Sequence, residues 1–174
     1  APLAALTAVP ELLLNLLSGT RTQTSIHFHY TAGALPGLFF AAVLGAVTDR
    51  TRLAMVSHVT STTALVLPIA EIVAELDRRG IDTLVDGAHA PGMVPVDVEG
   101  LGAAYWTGNG HKWLCGPKGT GMLWVRADRR DRIHPLVVSH GANADLDGRT
   151  RFRHEFDWVG TADPTGYLAL PAAI

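Results

Sequence analysis

The chain has 174 residues, 48% of them hydrophobic and 17% charged, with a formal net charge of -2. That is the length of about one domain with enough apolar residues for a real core, and it excludes both a disordered polar chain and a basic nucleic-acid binder. The single cysteine, Cys115, excludes an internal disulfide and a Cys-rich metal site, and suits a reducing, cytoplasmic compartment.

The opening segment APLAALTAVPELLLNLLSG is apolar but interrupted by Pro10, Glu11 and Asn15, with no basic residue ahead of its hydrophobic part. It fails both as a membrane-spanning helix and as a signal peptide, and reads as a buried helix or a remnant. The chain has no initiator Met and ends on GYLALPAAI, which reads as a helix just beginning, so a fragment is expected.

From about residue 41 apolar strands alternate with helices, which predicts an α/β sheet covered by helices. Leu53 to Ser57 reads as a buried strand. Pro68 suits a first helical turn, Ile69, Ile72, Val73 and Leu76 follow at helical spacing, and Gly80 supplies the stop after Arg78 and Arg79. A strand from Ile81 to Val85 then delivers Asp86, and another from Ala103 to Trp106 delivers Thr107. Both residues stand at the C-terminal ends where open α/β sheets bind ligands. Gly119 and Gly121 lead into a strand from Met122 to Arg126, so the Lys112 segment is a loop between strands, a usual carrier of function. Arg126, Arg129, Arg130 and Arg132 read as a solvated turn, and residues 139–154 as an exposed connection.

Only two lysines occur, Lys112 and Lys118, both in HKWLCGPKGTG, downstream of the acidic turn VDGAHAPG that carries Asp86. A Lys amine condenses with an aldehyde, and an Asp opposite a pyridine nitrogen holds it protonated, which is what pyridoxal phosphate chemistry asks of a protein. If the chain forms a Schiff base, the nucleophile is one of these two lysines. Other chemistries lack their signatures. There is no G-x-S-x-G and no G-x-x-x-x-G-K-[ST], and GPKGTG orders its glycines wrongly for a dinucleotide loop. His27, His29, His58, His134, His140 and His154 show no zinc spacing, so no metal site is expected.

The blocks TRLAMVSHVTSTTALVLPIAEI, DTLVDGAHAPGMVPVD, YWTGNGHKWLCGPKGTGMLWVR, PLVVSHGAN and FDWVGTADPTGYLALPAAI occur in that order. Together they resemble the fold-type I pyridoxal phosphate enzymes of the class V aminotransferase group, which includes cysteine desulfurases, and most closely its isopenicillin N epimerase-like members. The resemblance covers about 41–174. It implies a three-layer sandwich with a mainly parallel sheet and makes 41–174 part of the large domain. Residues 1–40 match poorly, without the group's Gly/Thr phosphate loop or ring-stacking residue, and the C-terminal small domain is absent.

Carried over by position, Lys112 resembles the Schiff-base lysine and Asp86 the partner of the pyridine nitrogen. His89 would lie near the cofactor ring or its phenolic oxygen. Asn109 and His111 resemble phosphate-binding positions, with Thr107 a further one. Gly160 and Thr161 resemble the segment that reaches the neighbouring subunit's phosphate, which implies a homodimer with shared sites. Ser61 stands where relatives often carry Asn near the cofactor, and Ala64 replaces a Gly common in that motif. Lys118 reads as a loop cation and Cys115 as a packed thiol. The implied substrate is an amino acid or a derivative, with no nucleic acid or membrane partner. Three readings stay open: epimerisation at the α-carbon through Lys112, transamination or carbon–sulfur cleavage, and an inactive remnant.

Overall fold

The structure is a computed structural model that describes residues 35–143, 145 and 148–174. The expectation for the opening segment therefore lies outside the described residues up to position 34. Helix α1 (Leu35–Gly45) precedes strand β1 (Leu53–Ser57), helix α2 (Ile69–Arg78) and strands β2 (Asp82–Asp86), β3 (Tyr105–Asn109) and β4 (Gly121–Val125). Two short 3-10 helices, Ala127–Arg132 and His140–Ala142, and helices α3 (Arg151–Asp157), α4 (Thr165–Leu168) and α5 (Leu170–Ala173) complete it.

The four strands form one sheet in the order β1-β2-β3-β4, with β1, β2 and β3 parallel and β4 antiparallel to β3. This is the α/β sheet that the alternation of apolar segments predicted, with the mainly parallel strands that the resemblance implied.

α2 exists because its apolar residues recur every three or four positions: Ile69, Ile72, Val73 and Leu76 are all buried. Pro68 sits at its N-cap, where the missing N–H costs nothing. The helix stops at Gly80, whose φ of +71° only glycine adopts cheaply. Its buried stripe packs on Val56, Val85 and Trp106, with Ile72 and Leu76 fully buried. Those strand residues share one face, because the register pairs Val56 with Val85 and Val85 with Trp106. The opposite face therefore carries Leu53, Met55, Asp86, Thr107 and Asn109.

That alternation corrects the reading of β1 as buried. Its bounds are as expected, but Leu53 is 53% and Met55 67% exposed, because α2 covers only the other side. β2 starts at Asp82 rather than Ile81, since the Ile81 amide donates to Leu76 O (2.9 Å) and belongs to the helix exit. β3 runs from Tyr105 to Asn109 rather than 103 to 106, because its pairing with β4 continues to Asn109 opposite Gly121. Thr107 is therefore inside the strand, and Asn109 stands at its end.

Two surface expectations also change. Arg126 and Arg129 are not a solvated turn. Arg129 grips both carboxylate oxygens of Asp82 at 2.8 to 3.0 Å, and Arg126 reaches Asp77 (3.0 Å) and Gly102 O (2.7 Å). They tie the 3-10 segment after β4 to α2 and to the start of β2. Within residues 139–154 the chain is not merely a connection, since α3 begins at Arg151 and buries His154 and Glu155. Glu155 accepts from Arg151 and from His134 (2.9 Å), which fastens α3 to the preceding loop.

Candidate active site

Asp86 is the last residue of β2, on the sheet face opposite α2, directly beside Thr107 of β3. Its Oδ1 accepts from the Ala88 amide at 2.9 Å, an Asx-type turn that starts the loop back across the strand end. Oδ2 has no hydrogen-bond partner among the described residues, leaving one carboxylate lone-pair set open to a donor such as a ring N–H. The position after it must be glycine. A Cβ at Gly87 would lie 2.4 Å from the Trp106 indole, which fills the other face of the sheet.

The turn that follows brings His89 to the lysine loop. At Gly92, where φ is +83°, a Cβ would come within 2.5 Å of Trp113 O, so the two loops touch backbone to backbone. Across that contact Lys112 Nζ lies 3.0 Å from His89 Nε2, and Trp113 Nε1–H donates to His89 Nδ1 at 3.1 Å. Lys112 and His89 are half-buried, whereas Trp113 is exposed at the rim.

The lysine loop is closed at its neck. The Gly110 amide donates to Thr120 O (3.0 Å), the Gly116 amide to Gly110 O (2.8 Å) and the Cys115 amide to Lys112 O (3.0 Å). A Cβ at Gly110 or Gly116 would strike Leu170 of α5 at 2.6 or 2.5 Å, so the glycines let the terminal helix seat on the loop. His111 donates from Nδ1 to Thr120 O at 3.3 Å and is exposed at the neck. Lys118 is exposed, as expected of a loop cation. Cys115 is not the packed thiol expected. It is exposed, with φ +57°, because the tight loop turns it outward.

The candidate residues thus fall into three places. Asp86, His89 and Lys112 are drawn together by the touching loops. Thr107 and Asn109 share Asp86's sheet face, with His111 next along the loop. Ser61 is exposed in a turn after β1, with no bond to the others, and Thr161 lines a separate groove with Gly160, Leu123, Phe156 and Tyr167. Trp113 is the residue to which sequence reasoning assigned nothing, although it stands next to the lysine in HKW.

An open carboxylate oxygen at a strand end, and an amine and an imidazole in contact on the adjoining loops, suit a group with a carbonyl to condense and a basic ring nitrogen. Among the described residues there is no cluster of potential metal ligands and no helix long and apolar enough to cross a membrane.

Comparison with known proteins places this arrangement. The aminotransferase class-V family model matches residues 33–174. Over 149 residues the chain is 39% identical to an isopenicillin N epimerase of Streptomyces clavuligerus, covering 80% of this chain and 37% of the relative. It is 37% identical over 128 residues to a putative L-cysteine desulfhydrase of Oryza sativa subsp. japonica, covering 72% of this chain and 25% of the relative. The solved structure of a cystine C-S lyase in complex with its reaction product cysteine persulfide aligns with a TM-score of 0.67 at 33% identity. That alignment covers 78% of this chain and 38% of the lyase. The chain spans between a quarter and little more than a third of the length of these relatives. With its α/β sheet, its ordered loops and a family match over 33–174, the chain belongs to the class-V aminotransferase family and has the fold-type I architecture of that group.

Proposed function

We propose that this chain forms the core of a pyridoxal phosphate enzyme that works at the α-carbon of an amino acid or amino-acid-derived substrate, in the manner of an epimerase. The observation that carries the reading is the 3.0 Å contact between Lys112, one of only two lysines, and His89 on the turn that leaves Asp86. The 39% identity to an isopenicillin N epimerase supports the reaction type.

When bound, the cofactor supplies an electron sink for charge developing at the α-carbon. Lys112 would provide the amine that holds the cofactor and would then move the α-proton. Asp86 Oδ2 would accept the pyridine N–H and keep that nitrogen charged. His89 bonds Lys112 and orients its amine. Thr107, Asn109 and His111 would offer donors to the phosphate, and Ser61 is assigned to the site by the resemblance alone. Gly160 and Thr161 line a groove that does not include Lys112, which is compatible with a phosphate contact made across a homodimer.

Deuterium oxide separates the outcomes. Cofactor-loaded protein is expected to introduce deuterium at the α-carbon while optical activity is lost and the amino group stays in place. Similarity to L-cysteine desulfhydrases and to the cystine lyase favours a second reading, carbon–sulfur cleavage. Release of sulfide or persulfide together with ammonia and an oxo acid, without inversion, would establish that reading instead, and an oxo acid formed with the amino group passed to an acceptor and no ammonia or sulfur species released would indicate transamination.

A further inference from the structure

Trp113 lies next to Lys112, is 52% exposed, and contributes nothing to the core. Its indole nitrogen is a donor only, having no lone pair to offer in the ring plane. That N–H is directed at His89 Nδ1 at 3.1 Å, so Nδ1 accepts and carries no proton of its own. A neutral imidazole keeps one N–H, which is then on Nε2. Nε2 is the atom that faces Lys112 Nζ at 3.0 Å. An N–H at this distance is satisfied by a lone pair, which a neutral amine has and an ammonium, with three donors and no acceptor, lacks.

The geometry points to Trp113 as a positioning residue: through His89 it sets a donor against the Lys112 Nζ lone pair and so orients the amine and occupies that pair until a carbonyl takes it. The inference rests on the reading of Lys112 as the nucleophile and extends it by one residue. The close approach of Gly92 to the Trp113 backbone keeps the chain of contacts in register, since the turn bearing His89 and the loop bearing Trp113 cannot slide without a clash. Lys118, exposed and outside this chain of contacts, is the built-in control.

The test uses the protein without cofactor. Formaldehyde and borohydride methylate amines in proportion to their free-base nucleophilicity, and peptide mass spectrometry gives the rates at Lys112 and Lys118 in the same molecule. Trp113→Phe keeps an aromatic ring and removes the donor. The Lys112 to Lys118 rate ratio is expected to rise about 3- to 10-fold, because the lost hydrogen bond releases the Nζ lone pair. In a His89→Gln background, where no imidazole tautomer remains to be set, adding Trp113→Phe is expected to leave the ratio unchanged. Nitrogen-15 spectra of the wild-type histidines are expected to show His89 with Nδ1 bare and Nε2 protonated. A ratio unaffected or lowered by Trp113→Phe, an equal rise in the His89→Gln background, or a proton found on Nδ1 would each overturn the inference. Because no pyridoxal phosphate is present, such a failure is distinct from a failure of the cofactor to bind, which would count against the proposed function instead.

Discussion

Ala64 shows how a single position carries both a family pattern and a physical cost. Its φ is +51°, in the left-handed region, inside a turn that Thr60 closes by accepting from the Ala64 amide (3.1 Å) and, through its hydroxyl, from the Leu65 amide (2.9 Å). An L side chain there costs about 1–2 kcal/mol, and glycine gives back about 0.5–1 kcal/mol as unfolded-state entropy. Ala64→Gly is therefore expected to stabilise the protein by up to about 1 kcal/mol in urea unfolding. A lower urea midpoint would contradict the assignment of strain. The sequence showed that Ala64 replaces a common glycine, yet it could not show that the backbone kept the glycine conformation. The same limit applies to Cys115, which residue type alone marks as packed and which the loop turns outward.

At the scale of elements, α2 organises one face of the sheet. Leu76 is fully buried against the sheet core that includes Val56 and Val85, so Leu76→Ala removes contacts that nothing nearby can replace. The expected cost is about 2–5 kcal/mol, read from the shift in urea midpoint at constant slope. A loss below about 0.5 kcal/mol would mean that α2 does not pack as described. α2 was legible because its buried stripe has a helical period and its ends carry Pro68 and Gly80. The strand ends were less legible. Ile81 looks like a strand residue but bonds back into the helix exit, and the end of β3 depends on its partner β4, which no local pattern announces. β1 was placed correctly and its burial misread, since an apolar run reads alike whether one or both faces of the strand are covered.

At the scale of the whole molecule, His58, away from Lys112, carries a titration effect that burial alone sets. This side chain is 7% exposed with Nδ1 unpartnered, and burial holds its pKa below the usual 6.5. Above pH 6.5 both folded and unfolded states are neutral and the fold keeps its full stability. Below it the unfolded chain binds a proton that the folded chain resists, so stability falls as pH drops toward the lower folded value. His58→Gln removes that proton uptake, and its unfolding free energy is expected to fall less steeply below pH 6.5 than that of the wild type. Parallel slopes would contradict the burial of a neutral ring. For the candidate site, the residues themselves pointed to Asp86 at a strand end and Lys112 in a loop between strands, and the resemblance added His89. The sequence could not show that two separate loops touch through Gly92 and Trp113, nor that Thr161 would line a different groove. Those are facts of the whole chain's packing rather than of any segment.

The central claim is that Lys112 is the amine that holds the cofactor. Incubating the protein with pyridoxal phosphate, reducing with borohydride and mapping the adduct by peptide mass spectrometry tests it directly. The account predicts an absorption band on mixing and a single reduced adduct on Lys112, abolished by Lys112→Ala. No band, or labelling that favours Lys118 or is shared equally between the two lysines, would contradict it.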